Sequence, residues 1–223
     1  MDAFPLIFKT HKRAKRIKLR YDAENQSAIL TLPPGISEKK ARKFAEENQG
    51  WLQEQQMKAP ELQRLGDGQT IPYRGQNCRI IHHPKKAARV EIRPGEIIVG
   101  GPAQGLSIRL LNGLKKQARL QIEESVGRLS LRIGAEPRRI QIRDTKSRWG
   151  SCSARRNISF SWRLVLAPPE ILDYVVAHEL AHLIEMNHSE AFWRIVAQAL
   201  PHWKTSRHWL KKHGSALMMV IVD

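Results

Sequence analysis

One pentapeptide constrains this chain more than any other feature: His178-Glu179-Leu180-Ala181-His182, an HExxH pattern in a segment that reads as a buried helix. Two histidines four residues apart on a helix are turned by only about 40° and displaced by about 6 Å, so both imidazoles can reach one ion. The flanking Ile171, Leu172, Val175, Val176 and Leu183 supply an apolar face, and Pro168 and Pro169 open the helix. Glu179 projects about 100° around from His178. That sets it beside an ion rather than on it, where it suits a base acting on a metal-activated water.

A catalytic zinc site takes three protein ligands and keeps one position open. His188 is the expected third ligand, but in an unbroken helix it would lie about 240° around from His182. The helix is therefore expected to end near Met186 and Asn187, with Asn187 in the left-handed conformation that terminates helices. Ser189 then caps a second helix through Glu190, Phe192, Trp193, Ile195, Val196 and Leu200. Glu185 is the rival third ligand; it points roughly the same way as His182, but so close a spacing crowds the site. HExxH also occurs in ordinary helices, and it is the third histidine that argues against that here. A structural zinc is disfavoured because such sites are closed by four ligands and favour cysteine. This chain has only Cys78 and Cys152, with no CxxC. The expected cofactor is one Zn2+ per chain.

Hydrophobic residues make up 41% and charged residues 26% of the 223, the balance of a soluble globular protein. No apolar run approaches the roughly 18 residues that span a bilayer; the longest covers residues 216–222. The start of the chain is charged rather than signal-like, so a cytoplasmic protein without a membrane role is expected. The net charge is +17. Lys9, Lys12, Arg13, Lys15, Arg16, Lys18 and Arg20 crowd the N-terminus, opposed there only by Asp2. A second basic stretch runs from Arg138 to Arg163 with only Asp144 negative, and residues 194–213 contain no acid. Such a field attracts polyanions, which makes nucleic acid a possible partner. No feature of the sequence sets an oligomeric state.

Along the chain, Ile17, Leu19 and Tyr21 alternate as a half-buried strand, residues 28–32 read as its return, and Pro33-Pro34-Gly35 ends the pair. Ser37 caps an expected helix to about residue 56, with Ala41, Phe44, Ala45, Trp51 and Leu52 on one face. Short strands are expected at residues 70–73, 79–82, 89–93 and 96–99, and Gly100-Gly101-Pro102 suggests a boundary. Leu106, Leu110, Leu114, Ala118, Ile122, Val126 and Leu129 then recur at helical spacing until Gly134 stops them. Ile140 and Ile142 alternate as one strand, and Ile158, Phe160 and Trp162 as another. The expected division is a basic, β-rich subdomain with one helix (residues 1–102) and a second domain (residues 103–223).

Ser147-Arg148-Trp149-Gly150-Ser151-Cys152, the run from Tyr174 to Leu183, Asn187-His188-Ser189 and Phe192-Trp193 together resemble the YgjP-like metallopeptidase family, itself similar to the SprT and WLM groups of zincins. The resemblance is strongest over residues 140–209 and looser before them. It implies an α+β fold: a zincin-like core with the HExxH active-site helix and a small antiparallel sheet, preceded by the β-rich subdomain. It also implies zinc held by His178, His182 and His188, with Glu179 as general base. The expected activity is a zinc metallopeptidase that cleaves peptides or proteins by a zinc-bound water activated by Glu179. The alternatives are a zinc-dependent hydrolase of nucleotides or phosphoanhydrides, and a nucleic-acid-associated module with a structural zinc. Arg148, Trp149, Ser151, Tyr174 and His208 are expected near substrate, the segment around Arg148 as a strand edge that an extended peptide can join. Cys152 stands in a basic setting that can lower a thiol's pKa, but it reads first as a small buried hydrophobe. The tail at residues 216–222 is apolar enough to add as a strand to an open edge, the substrate groove being one candidate.

Overall fold

In the computed structural model, which describes residues 4–221, the chain divides into two units, Met1–Leu62 and Gln63–Asp223. In the first, β1 (Leu6–Thr10) runs parallel to β3 (Ser27–Leu32), and β2 (Lys18–Asp22) lies antiparallel on the other side of β3. The β2–β3 pairing follows the expected alternation, whereas β1 lies within a stretch whose charge masked Leu6 and Phe8. Asp2 lies outside the described residues.

Ser37 caps α1 (Glu38–Glu47), its Oγ accepting from the Lys40 N–H at 3.4 Å. The single expected helix is two, because Asn48 leaves helical geometry (φ −108°, ψ 17°) and its side chain donates to the Phe44 carbonyl at 2.8 Å. The second helix, α2 (Gln49–Lys58), restarts in a new phase. Ala41 and Ala45 therefore bury against Leu30 and Leu32, while Trp51 is left 41% exposed rather than sharing their face.

The second unit opens with β4 (Gln63–Arg64), then β5 (Thr70–Tyr73), β6 (Gln76–His83), β7 (Val90–Arg93) and β8 (Glu96–Gly100). The last four form a sheet in the order β5-β6-β8-β7, with β6 and β8 parallel. The division falls at Leu62, ahead of the Gly100–Pro102 break, and packing explains why. Ile71, Cys78, Ile80, Ile97 and Val99 share one core with α3 (Leu106–Ile133) and the helices beyond it. α3 buries Leu110, Leu114, Ala118, Ile122, Val126 and Leu129 and stops at Gly134, whose φ of 74° favours glycine.

Beyond α3, β9 (Arg139–Arg143), β10 (Gly150–Cys152) and β11 (Asn157–Ser161) form a sheet in the order β10-β11-β9. It is mixed rather than antiparallel: β10 opposes β11, but β9 runs parallel to it, because α3 delivers the chain to the same end of the sheet from which β11 starts. A 3-10 helix (Trp162–Leu166) leads into α4 (Pro169–Ala181), followed by α5 (Glu190–Ala199), α6 (Trp203–Met218) and β12 (Val220–Ile221). β12 pairs parallel with β4. The apolar tail thus does add to a strand edge, but to β4 and not to β10; Val222 lies outside the described residues. Arg163, counted above with the basic surface, is 1% exposed. Its Nε donates to the Val220 carbonyl at 2.9 Å and its Nη1 to the Asp144 carboxylate, anchoring β12. No helix among the described residues is long and apolar enough to cross a membrane.

Candidate metal centre

His178 and Glu179 stand in the last turn of α4, and His182 is its C-cap residue. The helix ends there, earlier than the expected Met186–Asn187. The Leu183 N–H turns back to the Leu180 carbonyl at 2.9 Å, and those of Ile184 and Glu185 reach Ala181 at 3.1 and 2.9 Å. His182 itself closes this turn, with Nδ1 3.1 Å from the Glu185 carbonyl. A carbonyl only accepts, so Nδ1 carries the proton and Nε2 keeps its lone pair for a ligand.

The next turn is built by side chains. Asn187 is not left-handed; instead its Oδ1 accepts from the Ser189 N–H at 2.9 Å. Ser189 Oγ accepts from the Phe192 N–H at 3.3 Å and caps α5. His188 is thereby carried back over α4. The ligand-capable atoms of His178, His182 and His188 all lie within 4.8 Å of one another, and Nε2 of His188 is 3.1 Å from Nε2 of His178. Zn–N bonds of about 2.0–2.1 Å put neighbouring nitrogens of a tetrahedral site about 3.3 Å apart, so this convergence fits a shared ion. Glu185 contributes a backbone carbonyl to His182 instead of a carboxylate to the cluster.

Two buried polar atoms here lack a hydrogen-bond partner, His178 Nδ1 and Glu179 Oε2. Such orphans are uncommon in native proteins; the Glu179 oxygen is free to take a ligand, whereas His178 Nδ1 lies across its ring from the Nε2 that meets His188 and is not the atom a shared ion would take. Burial, with His182, His188 and Arg207 adding to it, pushes the His178 pKa down to about 3. Burial also lowers His182, against the opposing pull of the Glu185 carbonyl. Both imidazoles are thus held neutral, the form that ligates metal. Burial pushes Glu179 up to about 7, with the Arg148 charge drawing it back. A carboxyl titrating near neutrality can both accept and release a proton.

The walls are aromatic. The Phe192 ring, fully buried, lies 4.6–4.9 Å from all three imidazoles. Trp193 is 5.9 Å from His178 and His188 and stacks at 4.4 Å on Trp203. The remaining wall is backbone. A Cβ on Gly150 would come within 2.5 Å of Glu179 Oε1, so any side chain here would have to displace the carboxylate. β10 is also an edge strand of its sheet.

The expected substrate residues fall unevenly around this centre. Arg148 is exposed and close enough to bias Glu179. Ser151 is half-buried in β10, opposite Ser159. Tyr174 is buried one turn before His178, ring centroids 6.1 Å apart, and burial raises its phenol. The Trp149 indole packs on Gly214 of α6, where a Cβ would meet it at 3.1 Å. His208 is exposed, and the residue α6 supplies to the site is Arg207, 4.8 Å over the Trp193 ring. Sequence reading missed Arg207 and Gly150, although Arg207 follows Trp203 by one helical turn. Cys152 packs partly buried against the core, and burial and then Glu179 push its thiol up, against Arg156, so its basic sequence context does not make it a thiolate.

Residues 15–213 match a family model described as YgjP-like, metallopeptidase domain. Among solved structures, the crystal structure of the metallopeptidase zymogen of Pyrococcus abyssi abylysin is similar over 41% of this chain and 93% of that chain, at 24% identity and a TM-score of 0.38. No curated protein matches.

Proposed function

The chain belongs to the YgjP-like metallopeptidase family, and on that premise we propose that it is a cytoplasmic zinc peptidase in which His178, His182 and His188 hold one Zn2+ and Glu179 is the general base. The observation that carries this reading is the buried Glu179 carboxyl, with Oε2 unpartnered, beside three converging imidazoles. Zinc held there supplies Lewis acidity to a water molecule and to the substrate carbonyl. Glu179 Oε2 takes a proton from the attacking water and hands it to the leaving amine. Gly150 keeps room for the carboxylate, Phe192 backs the three imidazoles with a buried apolar ring, and the Glu185 carbonyl orients His182. The edge of β10 offers backbone groups to an extended peptide, which sets its scissile bond beside Glu179.

The test is Glu179→Gln, which keeps the shape and removes the base. The variant is expected to retain the metal and to lose peptide cleavage by a factor on the order of 10²–10⁴. Undiminished cleavage would remove Glu179 from the mechanism. Turnover of nucleotides but of no peptide would replace the peptidase with a phosphoanhydride hydrolase.

A further inference from the structure

α6 carries positive charge that the mechanism leaves unused. Lys204, Arg207, His208, Lys211 and Lys212 are all exposed, and spacings of three and four residues gather them within an arc of about 140°. The sequence holds no acid between Glu190 and Asp223. Among the described residues the ion pairs all belong to other side chains. Like charges one turn apart weaken a helix, so this stripe costs stability until an anion covers it.

The stripe begins at the candidate centre. The Arg207 guanidinium lies 4.8 Å from the Trp193 ring and 6.0 Å from Trp203, and the Lys204 ammonium 5.9 Å from Trp203. Trp193 in turn stacks on His188 at 5.9 Å. These rings fix the near end of the stripe beside the imidazoles, and from Lys204 to Lys212 the stripe extends about 12 Å along the helix.

We propose that the site takes polypeptide segments with acidic side chains flanking the scissile bond, read by this stripe of α6. The inference rests on the peptidase reading and names its substrate class. Charge complementarity selects an anionic partner, and attachment to the cleft makes that partner the substrate. Nucleic acid fits less well, because the nearby indoles are already engaged. Trp193 is stacked between its neighbours and Trp209 already has the His213 ring 4.8 Å away, so the indoles beside the stripe offer bases less stacking surface than open ones would.

The experiment compares kcat/KM of the zinc-loaded protein on matched peptides carrying Glu or Gln around the cleaved bond. The Glu peptide is expected to lead by about tenfold at low salt, less as salt rises. A Lys204→Gln, Lys211→Gln, Lys212→Gln variant should cut that lead to about twofold or less. Lys85→Gln with Lys86→Gln, in the exposed turn between β6 and β7, should leave it intact. Binding of a labelled Glu-rich peptide to the Glu179→Gln protein, followed by fluorescence anisotropy, gives a readout independent of turnover. Equal kcat/KM for the two peptides overturns the proposal, as does a preference that the Lys85 and Lys86 changes abolish equally. Stripe-dependent binding with no peptide cleaved keeps the surface and strikes the peptidase reading. Displacement of the peptide by duplex DNA at lower concentration assigns the stripe to nucleic acid instead.

Discussion

Glu179→Gln also tests the electrostatics of the site without any substrate. The carboxyl titrates near 4.5 when unfolded and near 7 in the fold, because burial disfavours its charged form. Between those values the folded chain holds a proton that the unfolded chain has released. The contribution of Glu179 to the stability of the metal-free protein therefore falls as pH rises, by about 1.4 kcal/mol per pH unit and about 3 kcal/mol across the window. Glutamine does not titrate, so the variant escapes this loss. Urea denaturation of the metal-stripped proteins is expected to show the variant gaining about 3 kcal/mol relative to wild type between about pH 4.5 and pH 8. Other groups are common to both proteins and largely cancel. A difference that stays constant within about 1 kcal/mol over that range would show that Glu179 titrates normally, and the argument from burial would fail.

His178 works in the opposite sense: held neutral down to about pH 3, it contributes stability that is full above its ordinary 6.5 and is lost as pH falls toward 3. His178→Gln should accordingly flatten the acid limb of the metal-free stability profile. Gly150→Ala places a Cβ against Glu179; cleavage should fall while metal content holds, at a stability cost of about 1–3 kcal/mol by thermal melting. Ser189→Ala removes the α5 cap and should cost about 1 kcal/mol and weaken metal retention in competition with a chelator, with Ser189→Asp restoring both. Arg163→Met leaves Asp144 and the Val220 carbonyl without their partner and should cost about 2 kcal/mol in denaturant.

Much of the centre was legible because it is local. The i,i+4 spacing of His178 and His182, the Ser189 cap and the need for a chain reversal before His188 all lie within twelve consecutive residues, where helix geometry decides the outcome. The same holds for α3, whose apolar spacing and Gly134 stop fix both its face and its end. What escaped came from afar or from side chains acting on backbone. Gly150 matters only because β10 packs on α4, and Arg207 only because α6 returns to Trp193. Asn48 and His182 ended helices through hydrogen bonds of their own side chains, and no periodicity announces that. The unit boundary was displaced because Gly100-Gly101-Pro102 reads as a break, whereas the sheet before it packs on α3.

The most direct test of the account is metal content by plasma mass spectrometry, on wild type and His188→Ala purified without added metal or a histidine tag. Wild type is expected to carry about one zinc per chain and the variant to lose it sharply, since two imidazoles alone leave the ion underligated. Undiminished zinc in His188→Ala would move the third ligand elsewhere. A wild-type chain that takes up no metal even when zinc is offered would contradict the account outright.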